Sequence, residues 1–292
     1  MTTGVYLDTY LSALAPWLTR DDVTDLLINR PGEVWIETTS GMLTRIAAPQ
    51  ITDVVLSRLA RQIAAATHQG VNREQPLLSA TLPDGGRVQI IAPPATREGM
   101  AIAIRKHVIS DLSVDDLAQT GLFAEGPAAG RRSARDDELA AMLKSGDRSG
   151  FLKNAVRAKK TIVISGGTST GKTTLLNALV REIDTNERLL VIEDAPEIRL
   201  DRPNAVGLIA VRGEQGEAQV DADDLLRASL RMRPDRILLG ELRSGLDLGW
   251  SHIQTYVRQV IDVIVQLDRQ NGKRRVSDIQ FLGGTMPPAA ND

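Results

Sequence analysis

The second half of the chain reads as an α/β fold, preceded by a smaller α+β region. Three observations point to this. First, apolar runs of strand length (Thr161 to Ser165, Arg188 to Asp194, Arg236 to Glu241) alternate with helix-patterned stretches. That is the pattern of a parallel sheet covered on both faces. Second, the first third carries short extended runs joined by turn residues and a single long helix pattern. Third, Leu122 to Asp137 (LFAEGPAAGRRSARDD) is rich in Gly, Ala, Pro and charge and reads as a linker or surface excursion between them. The expected domains are 1–108, 109–137 and 138–292.

Composition narrows the classes. The 292 residues are 42% apolar and 25% charged, the mix of a globular and not a disordered chain. Aromatics are only 3%, so Leu, Ile, Val and Ala must build the cores. The net charge of −2 argues against a dedicated electrostatic nucleic-acid binder, and no sequence-specific nucleic-acid contact is expected. The absence of cysteine excludes disulfides, thiol nucleophiles and cysteine-ligated metal. No apolar run approaches the ~18 residues that span a bilayer. The N-terminal MTTGVYLDTYLSALAPW lacks a basic region and carries Asp8, unlike a signal peptide. The expectation is a cytoplasmic protein.

In chain order, Glu33 to Glu37 alternates like a half-buried strand, and Gly41 opens a second extended run to Ala47. Val55, Leu59 and Ile63 recur every fourth residue in a helix from Thr52 to Thr67, with Thr52 or Asp53 as cap. Leu77 to Leu82 and Arg87 to Ala92 flank a Pro-Asp-Gly-Gly turn and form a hairpin, and Met100 to Arg105 adds a strand. Further on, helices are expected around Phe151 to Ala158, Lys172 to Ile183 and Asp223 to Met232. Ile261 to Leu267 reads as a late strand, closed by an Asn271-Gly272 hairpin.

The strongest chemical signal is Gly166-Gly167-Thr168-Ser169-Thr170-Gly171-Lys172-Thr173, with Thr174 following. It matches the G-x-x-x-x-G-K-[ST] phosphate loop, with a strand before it and a helix after it. A chance match in a chain this long has a probability of roughly one per cent from ordinary residue usage, so the segment is read as a nucleoside triphosphate site. Glycines let the backbone wrap the phosphates, and the helix N-terminus points its N–H groups at them. Lys172 would reach the β- and γ-phosphates and Thr173 would ligate magnesium. The expected cofactors are therefore ATP and Mg2+. Three acids stand at strand C-termini, where such sheets bind ligands: Glu193, Asp194 and Glu241. They can hold metal and orient water, or merely cap loops.

The segments ISGGTSTGKTTLLNAL, LLVIEDAPEI and RMRPDRILLGELR, in this order, resemble the secretion-superfamily traffic ATPases, and most closely the type IV secretion branch of conjugation and effector-delivery systems. LPDGGRVQIIAPPATREGMAIAIRKH resembles the same family's N-terminal hairpin. The resemblance implies a RecA-like P-loop NTPase domain behind the α+β domain, working as an ATPase in a homohexameric ring. It implies that Lys172 and Thr173 hold phosphate and magnesium, that Glu241 positions water, and that Glu193 supports metal and water. Arg87 and Arg105 would approach the γ-phosphate, and Arg243 would join the catalytic surface. Implied partners are identical subunits, other secretion ATPases, inner-membrane channel components and a transported protein or DNA–protein substrate. Attachment to the inner membrane would be peripheral.

The sequence departs from the family pattern after Arg243. A Thr-Gly-His-Pro-Gly-type turn and a histidine box are missing, and SGLDLGWSHIQTYVRQVIDVIVQLDRQNGKRRVSDIQFL follows almost directly. His252 has the flanks of this late segment and reads as an ordinary surface or packing residue, and His68 and His107 are isolated. The expectation is an internal deletion that removes at least one strand with its covering helices and so exposes apolar surface and sheet edge. A second reading is accordingly a ring subunit that binds nucleotide without hydrolysing it. A type II secretion or retraction motor and a small-molecule kinase fit less of the sequence.

Overall fold

The computed structural model describes residues 11–107, 113–119, 123, 133–211, 216–240 and 260–282. In chain order the elements of the first half are α1 (Ala15–Leu18), β1 (Val23–Ile28), β2 (Gly32–Thr38), β3 (Leu43–Ala48), α2 (Asp53–Ala66), β4 (Leu77–Thr81), β5 (Arg87–Ile91), β6 (Ala101–Arg105) and α3 (Val114–Gln119). Then follow α4 (Ala134–Lys144), α5 (Arg148–Arg157), β7 (Ile162–Gly166), α6 (Lys172–Val180), β8 (Leu189–Glu193), β9 (Ala205–Ile209), α7 (Ala222–Ser229), β10 (Arg236–Leu239), β11 (Val263–Gln270) and β12 (Lys273–Phe281). They fall into two compact units. One holds the described residues of 1–110 and 185–244, the other those of 111–184 and 245–292.

The first unit is built on a six-stranded antiparallel sheet of order β3-β2-β1-β6-β5-β4. Period-two alternation sends its side chains into two separate cores. Leu26, Ile28, Val34, Ile36, Ile102 and Ile104 pack with Trp17 and with Leu56, Leu59 and Ile63 of α2. Thr52 caps that helix by accepting from Val55 N, as its sequence position suggests. The opposite face presents Leu27, Trp35, Ile91, Ala101 and Ala103 to Leu190, Ile192, Val206, Leu208 and Leu225. The strand at 33–37 is thus buried on both faces, not half-buried as its alternation suggests. A second layer, formed by β8, β9, β10 and α7, covers the face that carries Trp35. In this layer β10, β8 and β9 form a three-stranded parallel sheet. The backbone also joins the layers: Arg97 N donates to Gly207 O at 2.9 Å and Ile209 N to Ala95 O at 3.0 Å.

Between these layers lies Arg188, fully buried. Its Nε donates to Met232 O at 2.9 Å, and its Nη1 donates to Asn29 Oδ1 at 2.5 Å and to Asn204 Oδ1 at 2.9 Å. Asp235 accepts from the Arg188 backbone N–H at 2.7 Å. Burial lowers the Arg188 pKa to about 9, and the like charge of Arg233 adds to this against Asp235 and Asp25. Arg233 itself makes a bidentate pair with Glu37 of β2 and a second pair with Asp235, which raises its pKa.

The second unit contains a three-stranded sheet of order β12-β11-β7, with β7 and β11 parallel and β11 and β12 antiparallel. The strands expected to form one parallel sheet therefore appear, among the described residues, as two sheets of three. Lys160 is the polar centre of this unit. Its Nζ lies 2.7 Å from Asp136 of α4 and 3.6 Å from Asp262, and 5.9 Å from the Phe281 ring centroid. Phe281 in turn meets Phe151 edge to face at 5.5 Å. Residues 134–137, expected as linker, open the helix α4, which Ser133 caps by accepting from Asp136 N.

Removing the Arg188 side chain strips two asparagines and a carbonyl of a donor and leaves a large cavity. Arg188→Ala is expected to cost about 3–5 kcal/mol. Arg188→Met keeps volume and abandons the buried charge, so it is expected to cost clearly less. Urea denaturation of the two variants checks the order.

Candidate nucleotide site

In the second unit, β7 runs into the phosphate loop and α6 leaves it. Gly171 is the N-cap of α6 with φ +98°, a left-handed conformation that favours glycine. At Gly166 the constraint is space: a Cβ there would stand 2.8 Å from Leu267 O on β11. Thr170, which is buried, donates through Oγ1 to Gly167 O at 2.8 Å and braces the turn. Lys172 Nζ folds over the loop and donates to Gly166 O at 2.9 Å and Gly167 O at 3.1 Å. Thr173 and Thr174 follow in the first turn of α6, and Thr168 and Ser169 form the exposed crest of the loop, with Ser169 at φ +63°. The geometry is that of an anion cradle: backbone N–H groups at a helix N-terminus, with an ammonium beside them.

The first unit holds the acidic strand ends. Glu193, the last residue of β8, is almost fully buried. Its Oε1 accepts from the backbone N–H groups of Glu197 and Ile198, both at 2.9 Å. Its Oε2 meets the guanidinium of Arg97, whose Nη1 donates to Ile198 O at 2.9 Å. Burial lowers the Arg97 pKa, with the charge of Glu98 opposing. In this arrangement Glu193 holds the 194–198 turn, one oxygen on two backbone N–H groups and the other against Arg97. Gly240 N donates to Ile192 O at 2.8 Å, and a Cβ on Gly240 would stand 2.6 Å from Glu193 Cγ. The glycine before Glu241 is therefore required by the side chain of Glu193. The structure brings Glu193 beside the end of β10. Glu241, Arg243 and His252 lie outside the described residues.

Arg87 and Arg105 are brought together: they stand directly opposite each other on β5 and β6. Arg105 Nε donates to Asp25 Oδ1 at 2.9 Å. Both arginines line a cleft of about 610 Å³ within the first unit, with Arg231, Ser79 and Gln89. Arg231 reaches it from the end of α7 and donates through Nη1 to Ser79 Oγ at 3.0 Å. Three guanidinium groups thus line the cleft, with Asp25 paired to Arg105. Sequence pattern alone singles out neither Arg231 nor Arg97. Arg231 lies in the block RMRPDRILLGELR and Arg97 in APPATREGM, but neither has a spacing that marks it out.

A strand, phosphate loop and helix beside a parallel strand define a P-loop nucleotide-binding protein. The chain matches the family described as "Type II/IV secretion system protein" over residues 11–248. It is 36% identical over 330 aligned positions to the "Type IV secretion system protein PtlH homolog" of Bordetella bronchiseptica, with 97% of each chain covered. It is 40% identical over 241 residues to "Type IV secretion system protein VirB11" of Brucella suis, covering 81% of this chain and 66% of that one. The crystal structure of the VirB11 ATPase from the Brucella suis type IV secretion system, in complex with sulphate, superposes with a TM-score of 0.86 at 31% identity. That superposition covers 95% of this chain and 98% of the other. The chain belongs to the type II/IV secretion system protein family and is a traffic ATPase of its type IV branch. The PtlH homolog alignment is longer than the 292 residues here, so that relative carries residues this chain lacks. The family match stops at 248, just past Arg243.

Arg97→Ala strands a buried carboxylate and is expected to destabilise the first unit by about 3–5 kcal/mol. Paired with Glu193→Gln, it should cost less than the two single losses summed. Additive costs in a double-mutant cycle would show that the two side chains are not coupled.

Proposed function

We propose that the chain hydrolyses Mg-ATP at the 166–174 phosphate loop and passes the energy to a type IV secretion apparatus as domain motion within a homo-oligomeric, hexameric ring. The observation that carries this reading is the loop itself, with Lys172 folded over it and Gly166 and Gly171 fixed by packing and φ. The oxygen donors on offer, the Thr173 hydroxyl and strand-end carboxylates, suit a small hard cation. Thr173 would hold magnesium directly, and Glu241, with Glu193 once freed from Arg97, through water. Bound magnesium would neutralise charge on the β- and γ-phosphates. Lys172 would hold those phosphates in line, and Glu241 would orient the attacking water and take up its proton. Arg87, Arg105 and Arg243 would spread positive charge over the oxygens of the transferred group, a task for which a permanently charged planar cation is suited.

Partners in this proposal are identical subunits, other secretion ATPases, inner-membrane channel components and a transported protein or DNA–protein complex. Among the described residues no helix is long and apolar enough to cross a membrane. Attachment in this reading is peripheral, on the cytoplasmic side of the inner membrane. The working domains in this reading are an N-terminal domain to about 108, a linker that ends where α4 opens at 134, and a catalytic domain beyond.

Steady-state Mg-ATP hydrolysis by the full chain, beside Lys172→Ala and Glu241→Gln, tests the reading. Turnover is expected in the unsubstituted chain, with a loss of at least about a hundredfold in each variant. A folded chain that binds ATP but turns over no faster than these variants would instead establish a nucleotide-binding ring subunit.

A further inference from the structure

The late hairpin β11–β12 carries a cation that the proposed reaction has not used. Its Asn271-Gly272 turn has φ of +51° and +79°, the two-residue form that locks strand register. That register sets Arg274 directly opposite Arg269, and Arg275 opposite Asp268. Arg275 is neutralised there, with Nε–Oδ1 at 2.7 Å and Nη2–Oδ2 at 2.9 Å. Arg274 points to the other face, and among the described residues no hydrogen bond or ion pair holds its guanidinium. Its cross-strand neighbour is another cation, Arg269, whose Nε donates to Gly272 O at 3.3 Å. Like charges directly opposite each other weaken a hairpin unless something anionic lies between or beside them.

The position of Arg274 shows where such an anion would sit. Its side chain lies against the phosphate loop: a Cβ on Gly171 would stand 3.2 Å from Arg274 Cδ and 3.9 Å from its Nε and Nη1. Gly171 is the N-cap of α6, so the guanidinium lies beside the start of that helix, while Lys172 Nζ donates to Gly166 O and Gly167 O within the loop. The backbone of the hairpin is tied to the loop, because β11 pairs with β7 residue by residue up to Leu267 opposite Gly166. We propose that Arg274 is a phosphate-contacting residue of the nucleotide site, supplied in cis by the late hairpin and directed at the phosphate tail beside Lys172. This rests on the reading of the loop as a nucleotide site.

The test is titration of the full chain with Mg-ATP, Mg-ADP and AMP, with inorganic tripolyphosphate as competitor. The proteins are the unsubstituted chain, Arg274→Ala, Arg274→Lys and Arg275→Ala. Removing one charge-assisted hydrogen bond at a partly exposed site predicts about five- to tenfold weaker ATP and ADP binding by Arg274→Ala. Tripolyphosphate should compete less well against it, Arg274→Lys should recover part of the loss, and Arg275→Ala should bind as the unsubstituted chain does. Equal affinity in Arg274→Ala, or equal weakening in Arg274→Ala and Arg275→Ala, would overturn the proposal. Failure of the unsubstituted chain to bind any nucleotide would overturn the nucleotide reading and this inference with it.

Discussion

A guanidinium whose partners among the described residues are all neutral oxygens, closed off from water between two layers, is the constraint on which the first unit depends. Arg188 immediately precedes β8, and its donors tie the end of β1, the start of β9 and the turn after α7 into one polar knot. Taking a cation out of water costs several kcal/mol, and neutral acceptors return only part of it. Such a group persists because its geometry is over-determined by its surroundings. Arg233 reinforces the arrangement from outside by clamping Glu37 and Asp235. Through these contacts β8 and β10, which position Glu193 and lead into Glu241, have their registers fixed to the antiparallel sheet that carries Arg87 and Arg105. Glu193 and the cleft lined by Arg87 and Arg105 therefore belong to one packed body.

The second unit is held differently. There the ladder between β7 and β11 runs straight into the phosphate loop, and Leu267 leaves no room for a side chain at Gly166. Lys160, in contact with Asp136, Asp262 and the Phe281 ring, fixes α4 and both ends of the hairpin to the start of β7. The loop is thus shaped by its strand neighbours as well as by its glycines.

Some of this is legible in the sequence because the determinants are local. The phosphate loop, the Thr52 cap, the Pro-Asp-Gly-Gly hairpin and the Asn271-Gly272 turn each follow from a residue at a fixed offset. What escapes a sequence reading is set by tertiary partners. β9, Ala205–Ile209, is a five-residue run with a glycine at its centre, and it becomes a strand because β8 and the 95–97 segment pair with it. The start of α4 is polar and reads as linker, yet Asp136 is fixed by Lys160, which lies 24 positions further on. Trp35 alternates with polar glutamates and so suggests one wet face, but the second layer covers it. Glu193 reads as a free strand-end acid, and nothing near it in sequence announces Arg97. The two are brought together only because residues 95–97 cross β9, where Arg97 passes over Gly207.

Each three-stranded sheet carries one edge strand whose sequence is that of an interior strand. Ile162 to Ile164 and Ile237 to Leu239 have the composition of strands buried on both faces. Yet among the described strands β7 pairs only with β11, and β10 only with β8. Val163 remains 38% exposed and Leu239 46% exposed, while β8, flanked on both sides, is buried at every position. An edge strand normally carries charge, proline or a bulge to blunt its open hydrogen-bonding groups. The apolar stretches of these two carry none and retain the side chains of interior strands. Their sequences still match an architecture in which a further strand and its helices cover them. The local geometry at the phosphate loop and around Glu193 is held by neighbours that remain. These groups thus keep their local contacts while the two strands that lead to them present apolar side chains outward.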